Sequence, residues 1–325
     1  MQPERMAVPA LTAIICTHNP RMDYLEATLA SLRSQEPLSN ARSWELILID
    51  NASDLPLSKR VDLSWHQNAR VVQEEQLGLS HARLRGFRES QAEVLVYIDD
   101  DNLLGPSYLR ETLGAFDGDE RLGAVGGKSI PRYEITPPAW FSSLGISLAC
   151  RDLGDKPMIA DWSDKKQEGR VYPECAPIGA GMGLRRRAYA AYIDAAHSDP
   201  ARMALGRRGG DLASAEDNDI VLTLLASGWK VAYLPQLYLE HLIPAGRLST
   251  AYLERYAYSS SKTWVQVLNV HGIAPWPAIS SWTVMLRKVR AYVRLRAWAS
   301  IENRIGWRGA CGLIEGRAAI GARRQ

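Results

Sequence analysis

Short strand-like runs recur along the first hundred residues of the chain, and the run at residues 94–98 is typical of a strand buried on both faces. They lie within residues 10–20, 44–53, 70–73 and 94–98. Two segments between these runs have helical character: residues 24–32, through leucines spaced three and four positions apart, and residues 79–90. Because strands alternate with helices, the pattern indicates an α/β fold built on a doubly wound, mostly parallel sheet.

After residue 100 the alternation continues less regularly. A helix is predicted over residues 106–116 and a strand interrupted by glycine over residues 122–128. The pattern dissolves in residues 130–172, which we interpret as an insertion covering the sheet edge. A glycine-rich turn at residues 179–183 is expected to open a helix over residues 184–192.

A second acidic segment precedes another predicted helix. Ser214 and Asp217 have the spacing of a capping box, and Gly228 is a helix stop. Capping alone could account for the acids at this helix start. Residues 229–235 and 237–241 are then two short strand-like runs that return the chain to the sheet.

The run at residues 94–98 ends in three consecutive carboxylates, Asp99, Asp100 and Asp101. In open α/β sheets this edge binds ligands, and three adjacent like charges repel unless a cation lies between them. Oxygen ligands favour a hard ion such as Mg²⁺ or Mn²⁺. The alternative is an acidic surface turn, because Asp is also an ordinary turn residue.

Composition narrows the choice of protein class. The chain has 325 residues, 46% hydrophobic and 23% charged, which is typical of a globular protein with one large or two smaller domains. No apolar leader or spanning segment is expected, so a cytoplasmic protein is predicted. The four cysteines form no close pair, which argues against a zinc knuckle or a disulfide framework.

Several motifs together resemble the nucleotide-sugar glycosyltransferases of the GT-A fold, specifically the non-processive family 2 enzymes. The likeness covers roughly residues 10–245. The matching motifs, in family order, are Thr17-His-Asn-Pro, Ile49-Asp-Asn-Ala-Ser53, Gly78-Leu-Ser-His-Ala-Arg83, Asp99-Asp-Asp101, the Gly179-Ala-Gly turn, Glu216-Asp217 and His241. This resemblance implies a GT-A catalytic domain over residues 1–245 and a helical, basic extension over residues 246–325.

The resemblance also implies a set of donor-binding residues. Asp50 is expected to hydrogen-bond the nucleotide base, and Thr17 and Arg83 to border the nucleotide. Asp99, Asp100 and Asp101 stand at the DxD motif. The implied donor is a nucleotide-diphosphate sugar, with UDP as the default nucleotide by family frequency.

Metal and catalytic roles follow from the same resemblance. Asp99, Asp101 and His241 are the expected ligands of Mg²⁺ or Mn²⁺, although a lone histidine is often a satisfied polar residue. Asp217 is the expected general base, and its place at a helix start is expected to keep it ionised.

Gly181 and Glu216 are expected on the acceptor side of the site. The implied reaction is inverting transfer of one sugar to a hydroxyl of a glycan or lipid-linked acceptor, in polysaccharide or cell-envelope glycan biosynthesis. The alternatives are a sugar-nucleotide nucleotidyltransferase and a non-catalytic nucleotide- or glycan-binding module.

The C-terminal segment differs in charge from the rest of the chain. From Met285 to the end there are ten Lys or Arg and two acidic residues, which gives this segment a net charge of +8. Because the whole chain has a net charge of +3, the residues before Met285 carry −5. Its apolar stripe is Leu286, Val289, Val293 and Ala297, its basic stripe is Arg287, Arg290 and Arg294, and Trp282, Trp298 and Trp307 lie close by.

This pattern predicts an amphipathic basic helix with two alternative environments. The helix either packs on the catalytic domain or a second subunit, or lies on an anionic membrane surface at the inner face of the membrane. Nucleic acid is not expected as a partner, because the arginines form no groove-reading motif.

Overall fold

A computed structural model describes residues 8–210, 212–213 and 215–322. The strands are β1 (Leu11–Thr17), β2 (Trp44–Asn51), β3 (Ala69–Glu74), β4 (Val94–Ile98), β5 (Asn102–Leu104), β6 (Leu122–Tyr133), β7 (Met158–Ala160), β8 (Met182–Arg185) and β9 (Lys230–Ile243). The helices are α1 (Met22–Arg33), α2 (Leu79–Glu89), α3 (Tyr108–Gly118), α4 (Arg186–Ser198), α5 (Pro200–Met203), α6 (Glu216–Ala226), α7 (Thr250–Val270), α8 (Val284–Arg294) and α9 (Ile301–Ala322).

The described strands form one sheet in the order β3-β2-β1-β4-β8-β6-β9-β5, with β7 paired to β9. The first four strands of this order are mutually parallel. β8 enters antiparallel between β4 and β6. The expected α/β architecture, with a central, mostly parallel sheet flanked by helices and followed by C-terminal helices, is confirmed.

Strand register brings the polar strand ends to one edge of the sheet. β1 lies between β2 and β4, with Thr17 paired to Asp50 and Ile15 paired to Ile98. Since all three strands are parallel, Thr17, Asp50 and the carboxylates after Ile98 emerge at the same edge. Apart from the partly buried Cys16 and Trp44, the apolar residues of these strands are fully or almost fully buried, which fixes this edge relative to the core.

The turn at residues 179–183 does not open a helix directly, contrary to the sequence prediction. Met182–Arg185 form β8, and α4 begins only at Arg186. β8 fits because a Cβ on Gly183 would lie 2.7 Å from Val125 and 2.8 Å from Thr112, so only glycine allows this close approach. Long-range pairing with β4 and β6 therefore overrides the local helical pattern.

The two strand-like runs near the end of the sheet are one strand of 14 residues, β9. Pro235 does not end it, because the pairing with β6 jumps from Gly126–Tyr233 to Lys128–Tyr238. A β-bulge of this kind tolerates proline, which lacks the N–H of a regular ladder. β6 likewise continues through Tyr133, further than its glycine-broken pattern indicated.

The helix that carries the second acidic segment is present as α6 and ends before Gly228, as predicted. Its first residue is Glu216, preceded by Ala215. The predicted capping residue Ser214 lies outside the described residues. The proposed division of the chain near residue 245 stays a prediction.

Three glycines let α9 pack closely on α7. A Cβ on Gly312 would overlap the carbonyl oxygen of Tyr258, and Gly309 and Gly316 also face α7. A Cβ on Gly306, by contrast, would meet no atom of another described element within 4 Å. The backbones of the two helices are therefore in direct contact at one face of α9.

The basic helix forms as α8, but its apolar stripe does not pack on the described part of the chain. Leu286, Val289 and Val293 are 68%, 54% and 59% exposed, whereas Ala297 is buried. The opposite side of α8 contacts α9 through Lys288, which pairs with Glu315. No helix among the described residues is both long and apolar enough to cross a membrane.

The contact between α7 and α9 predicts a difference between two glycines of one helix. Gly312→Ala should lower the free energy of unfolding by about 1–3 kcal/mol, because the added methyl forces the two backbones apart. Gly306→Ala is the matched control and should be neutral or stabilising by up to about 1 kcal/mol, since alanine favours the helix. Urea denaturation measures both variants, and equal stability for the two would contradict the packing described.

Candidate active site

A cavity of about 440 Å³ opens at the sheet edge where the parallel strands end. Its walls come from the ends of β1 and β4, the start of α2, the turn before β8, the loop before α6, and the segment following β9. Most of the predicted site residues line it, namely Thr17, Arg83, Asp99, Asp100, Asp101, Glu216, Asp217 and His241. The fold thus brings motifs that are distant in the sequence to one place.

Two predicted residues lie outside the lining of this cavity as far as the structure describes it. Asp50 is 2% exposed and accepts hydrogen bonds from the backbone N–H groups of Ser53 (3.2 Å) and Leu57 (2.8 Å). Gly181 has a φ of +72°, and its carbonyl accepts a hydrogen bond from the Tyr108 hydroxyl at 2.6 Å. In the structure both residues shape turns, and their expected roles in binding base and acceptor stay predictions.

The acidic triplet is divided between different partners. Thr17 donates a hydrogen bond to Asp100. Asp101, 5% exposed, lies 3.2 Å from Nε2 of His241 through Oδ1 and 2.9 Å from the guanidinium of Arg247 through Oδ2. The side-chain amide of Asn102 also donates to Asp101 Oδ1 at 3.2 Å. The acidic turn is therefore folded inward instead of being a solvated surface feature.

The surroundings shift the pKa values of the adjacent Asp100 and Asp101 in opposite directions. Burial and the charge of Asp101 raise the pKa of Asp100 to about 7, although the Thr17 hydroxyl opposes this shift. Burial disfavours charge on Asp101 as well, yet His241 and Arg247 hold its pKa below the usual value. Burial also disfavours a charged His241, but the Asp101 carboxylate outweighs it and raises the pKa of His241 to about 10.

Asp101 and His241 are close enough to each other that both could contact one divalent ion. Two neighbouring ligands of an octahedral ion with bonds near 2.1 Å are about 3.0 Å apart, and Asp101 Oδ1 is 3.2 Å from His241 Nε2. Within the described residues no group of three or more His, Cys, Asp or Glu side chains converges on one point. A site with few protein ligands would suit an ion that also takes phosphate and water oxygens, and Asp99, Asp101 and His241 as metal ligands all stay predictions.

Asp217 is held at the cavity wall by two backbone groups. Its Oδ2 accepts a hydrogen bond from Gly179 N–H at 3.0 Å, and its Oδ1 accepts one from Asn218 N–H at 2.9 Å. Burial nevertheless raises the pKa of Asp217, with Arg83 opposing the rise. This reverses the expected effect of the helix start, because loss of solvent outweighs the favourable N–H groups, and it makes the carboxylate a stronger base.

Arg83 on α2 contacts residues of both α6 and β4. Its guanidinium lies 3.5 Å from Glu216, with the two side chains 6% and 3% exposed, and 5.7 Å from the centre of the Tyr97 ring on β4. Burial raises the pKa of Glu216, while Arg83 counteracts that rise. Glu216 therefore pairs with Arg83 in the structure, and its expected acceptor-side role stays a prediction.

Sequence reasoning missed two arginines that line the cavity, Arg207 and Arg247. Arg247 follows the predicted ligand His241 by six residues, in a turn after Pro244, so a basic residue just beyond a strand end was an available signal. Arg207 lies in a glycine-rich loop that includes Gly206 and Gly209, where no periodic pattern pointed to the sheet edge.

Comparison with known proteins decides the family. The family model described as "Glycosyl transferase family 2" matches residues 12–192, more than half of the chain.

The chain belongs to glycosyl transferase family 2.

The predicted resemblance to family 2 and the expectation of a glycosyltransferase are thereby confirmed. The match ends before α6, so the family assignment covers the acidic triplet and Arg83 but reaches neither Asp217 nor His241.

Two curated glycosyltransferases are similar over shorter stretches. Polypeptide N-acetylgalactosaminyltransferase 8 of Drosophila melanogaster is 32% identical over 120 residues, which is 35% of this chain and 20% of that protein. Validoxylamine A glucosyltransferase of Streptomyces hygroscopicus subsp. jinggangensis (strain 5008) is 29% identical over 162 residues, 47% of this chain and 37% of that protein. The family 2 chain therefore spans between a fifth and little more than a third of these relatives.

The buried pair of Arg83 and Glu216 generates a stability prediction for this family 2 glycosyltransferase. Arg83→Met should cost about 3–5 kcal/mol in free energy of unfolding, because it leaves Glu216 buried without its counter-charge. Adding Glu216→Gln to Arg83→Met should recover part of that loss.

Arg85→Met on the same helix is the matched control for this pair. Arg85 and Glu89 form a partly exposed pair at 2.9 Å, with side chains 38% and 30% exposed. Its loss should cost no more than about 1 kcal/mol. Urea denaturation of the four proteins checks this, and a double variant no more stable than Arg83→Met would show that the buried charge is not the cause.

Proposed function

We propose that this protein is an inverting, metal-dependent glycosyltransferase that moves one sugar from a nucleotide-diphosphate sugar to a hydroxyl of a glycan or lipid-linked acceptor. The observation that carries the proposal is the presence, in one cavity, of the Asp101–His241 pair and a carboxylate of raised pKa, Asp217. The first could hold a divalent ion beside the leaving group, and the second could activate the acceptor.

The donor side of the cavity is built for a diphosphate. Asp101 and His241, with Asp99 as the further expected ligand, would hold Mg²⁺ or Mn²⁺, and a bound ion supplies charge neutralisation to the departing diphosphate. Arg207 and Arg247 add positive charge to the same wall. Arginine suits phosphate oxygens because its planar fork donates two parallel hydrogen bonds.

Asp217 acts on the other reactant. As the acceptor oxygen attacks the anomeric carbon, one carboxylate oxygen of Asp217 takes the hydroxyl proton, and the bond from that carbon to the phosphate oxygen breaks. The diphosphate leaves with the bonding electron pair, and a single displacement inverts the anomeric configuration. Its raised pKa makes Asp217 a better proton acceptor than a solvated aspartate at neutral pH.

A second cavity of about 530 Å³ offers the acceptor a place beside the first. The two cavities share Ser147, Tyr256 and Ser260, so they are adjacent. Glu302 and Asn303 of α9 also line the second cavity. Hydroxyl, amide and carboxylate groups around an aromatic ring suit a polar glycan, whose hydroxyls need several hydrogen-bond partners.

The names of the two relatives refer to different sugars and different acceptors, a polypeptide in one case and validoxylamine A in the other. They support sugar transfer and do not select a donor sugar. UDP is the first nucleotide to test, and polysaccharide or cell-envelope glycan synthesis is the proposed setting.

A nucleotide-sugar screen with Asp217→Asn tests the function. The wild type should release nucleoside diphosphate from one donor in the presence of Mg²⁺ or Mn²⁺ and stop when the ion is chelated. Asp217→Asn should lower kcat at least about 10²-fold with little change in donor affinity, because it keeps the shape but removes the base. The wild-type rate should also fall as the pH drops and Asp217 takes up a proton.

Asp155→Asn is the control for that variant, because the Asp155 side chain is 93% exposed and lies outside the cavity lining described. Unchanged kcat for Asp217→Asn would exclude the base assignment. Release of pyrophosphate when the wild type is given a nucleoside triphosphate and a sugar 1-phosphate would favour a nucleotidyltransferase, and donor binding without turnover would favour a binding module.

The exposed face of α8 supports docking on an anionic membrane surface. Trp282 and Trp298, 83% and 58% exposed, flank the apolar stripe. Residues 284–300 contain five basic residues and no acid, so the charge complements anionic lipid. A dimer formed by two such faces would bring like charges together, which disfavours a second copy as the partner. A lipid-linked acceptor would be reached from such a surface.

Flotation with vesicles tests this docking. The wild type should float with phosphatidylglycerol vesicles at low salt, less at high salt, and not with phosphatidylcholine vesicles, because the attraction is partly electrostatic. Replacing Trp282, Leu286 and Val289 by Ser should abolish flotation without unfolding the chain.

Replacing Leu55, Ile159 and Val171 by Ser is the matched control, because these residues are 62%, 61% and 62% exposed elsewhere on the surface. Failure of the wild type to float, or flotation of the α8 variant, would exclude attachment through this helix. Concentration-dependent dimerisation lost in the α8 variant would indicate a second copy instead.

A further inference from the structure

Arg247 lies between the two groups that are expected to hold the metal. One guanidinium nitrogen is 2.9 Å from Asp101 Oδ2, and the other is 3.1 Å from His241 Nε2. The Arg247 side chain is 22% exposed, so this contact forms largely away from solvent. A positive charge thus sits where a cation shared by Asp101 and His241 would sit.

These contacts compete with each other and with a metal. His241 Nε2 faces both Asp101 and Arg247, and it cannot donate to one and accept from the other in the same protonation state. A metal bound to Nε2 needs its lone pair, and Arg247 supplies only donors. A divalent ion on Asp101 and His241 would also repel a guanidinium held within hydrogen-bonding distance of the same atoms.

The backbone that carries Arg247 is anchored, whereas its side chain is long. The backbone N–H of Ala245, in the same turn, donates to Glu134 at 2.8 Å. Leu248, one residue after Arg247, is 3% exposed and packs in the core beneath α7. Rotation of the side chain alone can therefore carry the guanidinium from Asp101 into the cavity that it lines.

We propose that Arg247 is a latch on the metal site: it neutralises Asp101 before substrate arrives and moves to the donor diphosphate when metal and donor bind together. The inference rests on the proposed metal-dependent function. The diphosphate offers Arg247 a new anion at the moment when the metal displaces it from Asp101. Metal and donor then bind cooperatively, and departure of the nucleoside diphosphate lets Arg247 return and weaken metal binding.

Titration of Mn²⁺ by electron paramagnetic resonance tests the latch without measuring turnover. Arg247→Gln should bind Mn²⁺ alone about 10-fold more tightly than the wild type, because the competing cation is gone, a size typical of coupling between sites. The nucleoside diphosphate released in the donor screen should tighten Mn²⁺ binding in the wild type and do so much less in Arg247→Gln. Arg247→Met, which also lacks the charge, should behave as the Gln variant does.

Arg132→Gln is the matched control, since it removes one positive charge from an exposed pair with Glu240, 3.5 Å apart, near the same strand. It should bind Mn²⁺ as the wild type does, and Asp101→Asn should weaken Mn²⁺ binding in every background. Equal or weaker Mn²⁺ binding by both Arg247 variants would overturn the latch and leave the metal site intact. No Asp101-dependent Mn²⁺ binding in any protein, with or without nucleoside diphosphate, would overturn the metal dependence and the latch together.

Discussion

Three adjacent carboxylates at the end of a buried strand repel one another, and the arrangement of the sheet edge follows from how that repulsion is relieved. Thr17 donates a hydrogen bond to Asp100, while His241 and Arg247 pair with Asp101. The second pairing depends on β9, which runs through a bulge and carries His241 to a position opposite Asn102 on β5. The length of β9 and its bulge thus decide which residue pairs with Asp101.

Much of this arrangement could be predicted because its causes are local in sequence. An uninterrupted apolar run is buried wherever it lies, and parallel strands place their ends at one edge, so the position of the acidic triplet at the sheet edge could be expected from the pattern. Thr17 was expected near the nucleotide only through the family resemblance. The strand β8 could not be predicted in the same way, because its four residues gain their conformation from partners 58 to 91 positions away in the chain. Pro235 led to the prediction of two separate runs for the same reason, because the bulge that accommodates it in β9 is visible only in the pairing with β6.

Charge partners were harder to predict than positions. Asp217 lines the cavity, and the direction of its pKa shift depends on how much solvent the surrounding chain removes, which is a property of packing. Arg247 was missed although it lies just beyond a strand end, because its partners Asp101 and His241 are distant from it or from each other in the sequence and meet only in the folded chain.

The direct backbone contact between α7 and α9 has a mechanical consequence. Side chains can change rotamer, but helices that touch through Gly312 have no compressible layer between them. α8 rests on α9, and α7 borders the cavity through Tyr256 and Ser260. The exposed face of α8 therefore has a fixed position relative to the cavity, so any surface or partner that bound α8 would also fix the orientation of the cavity mouth.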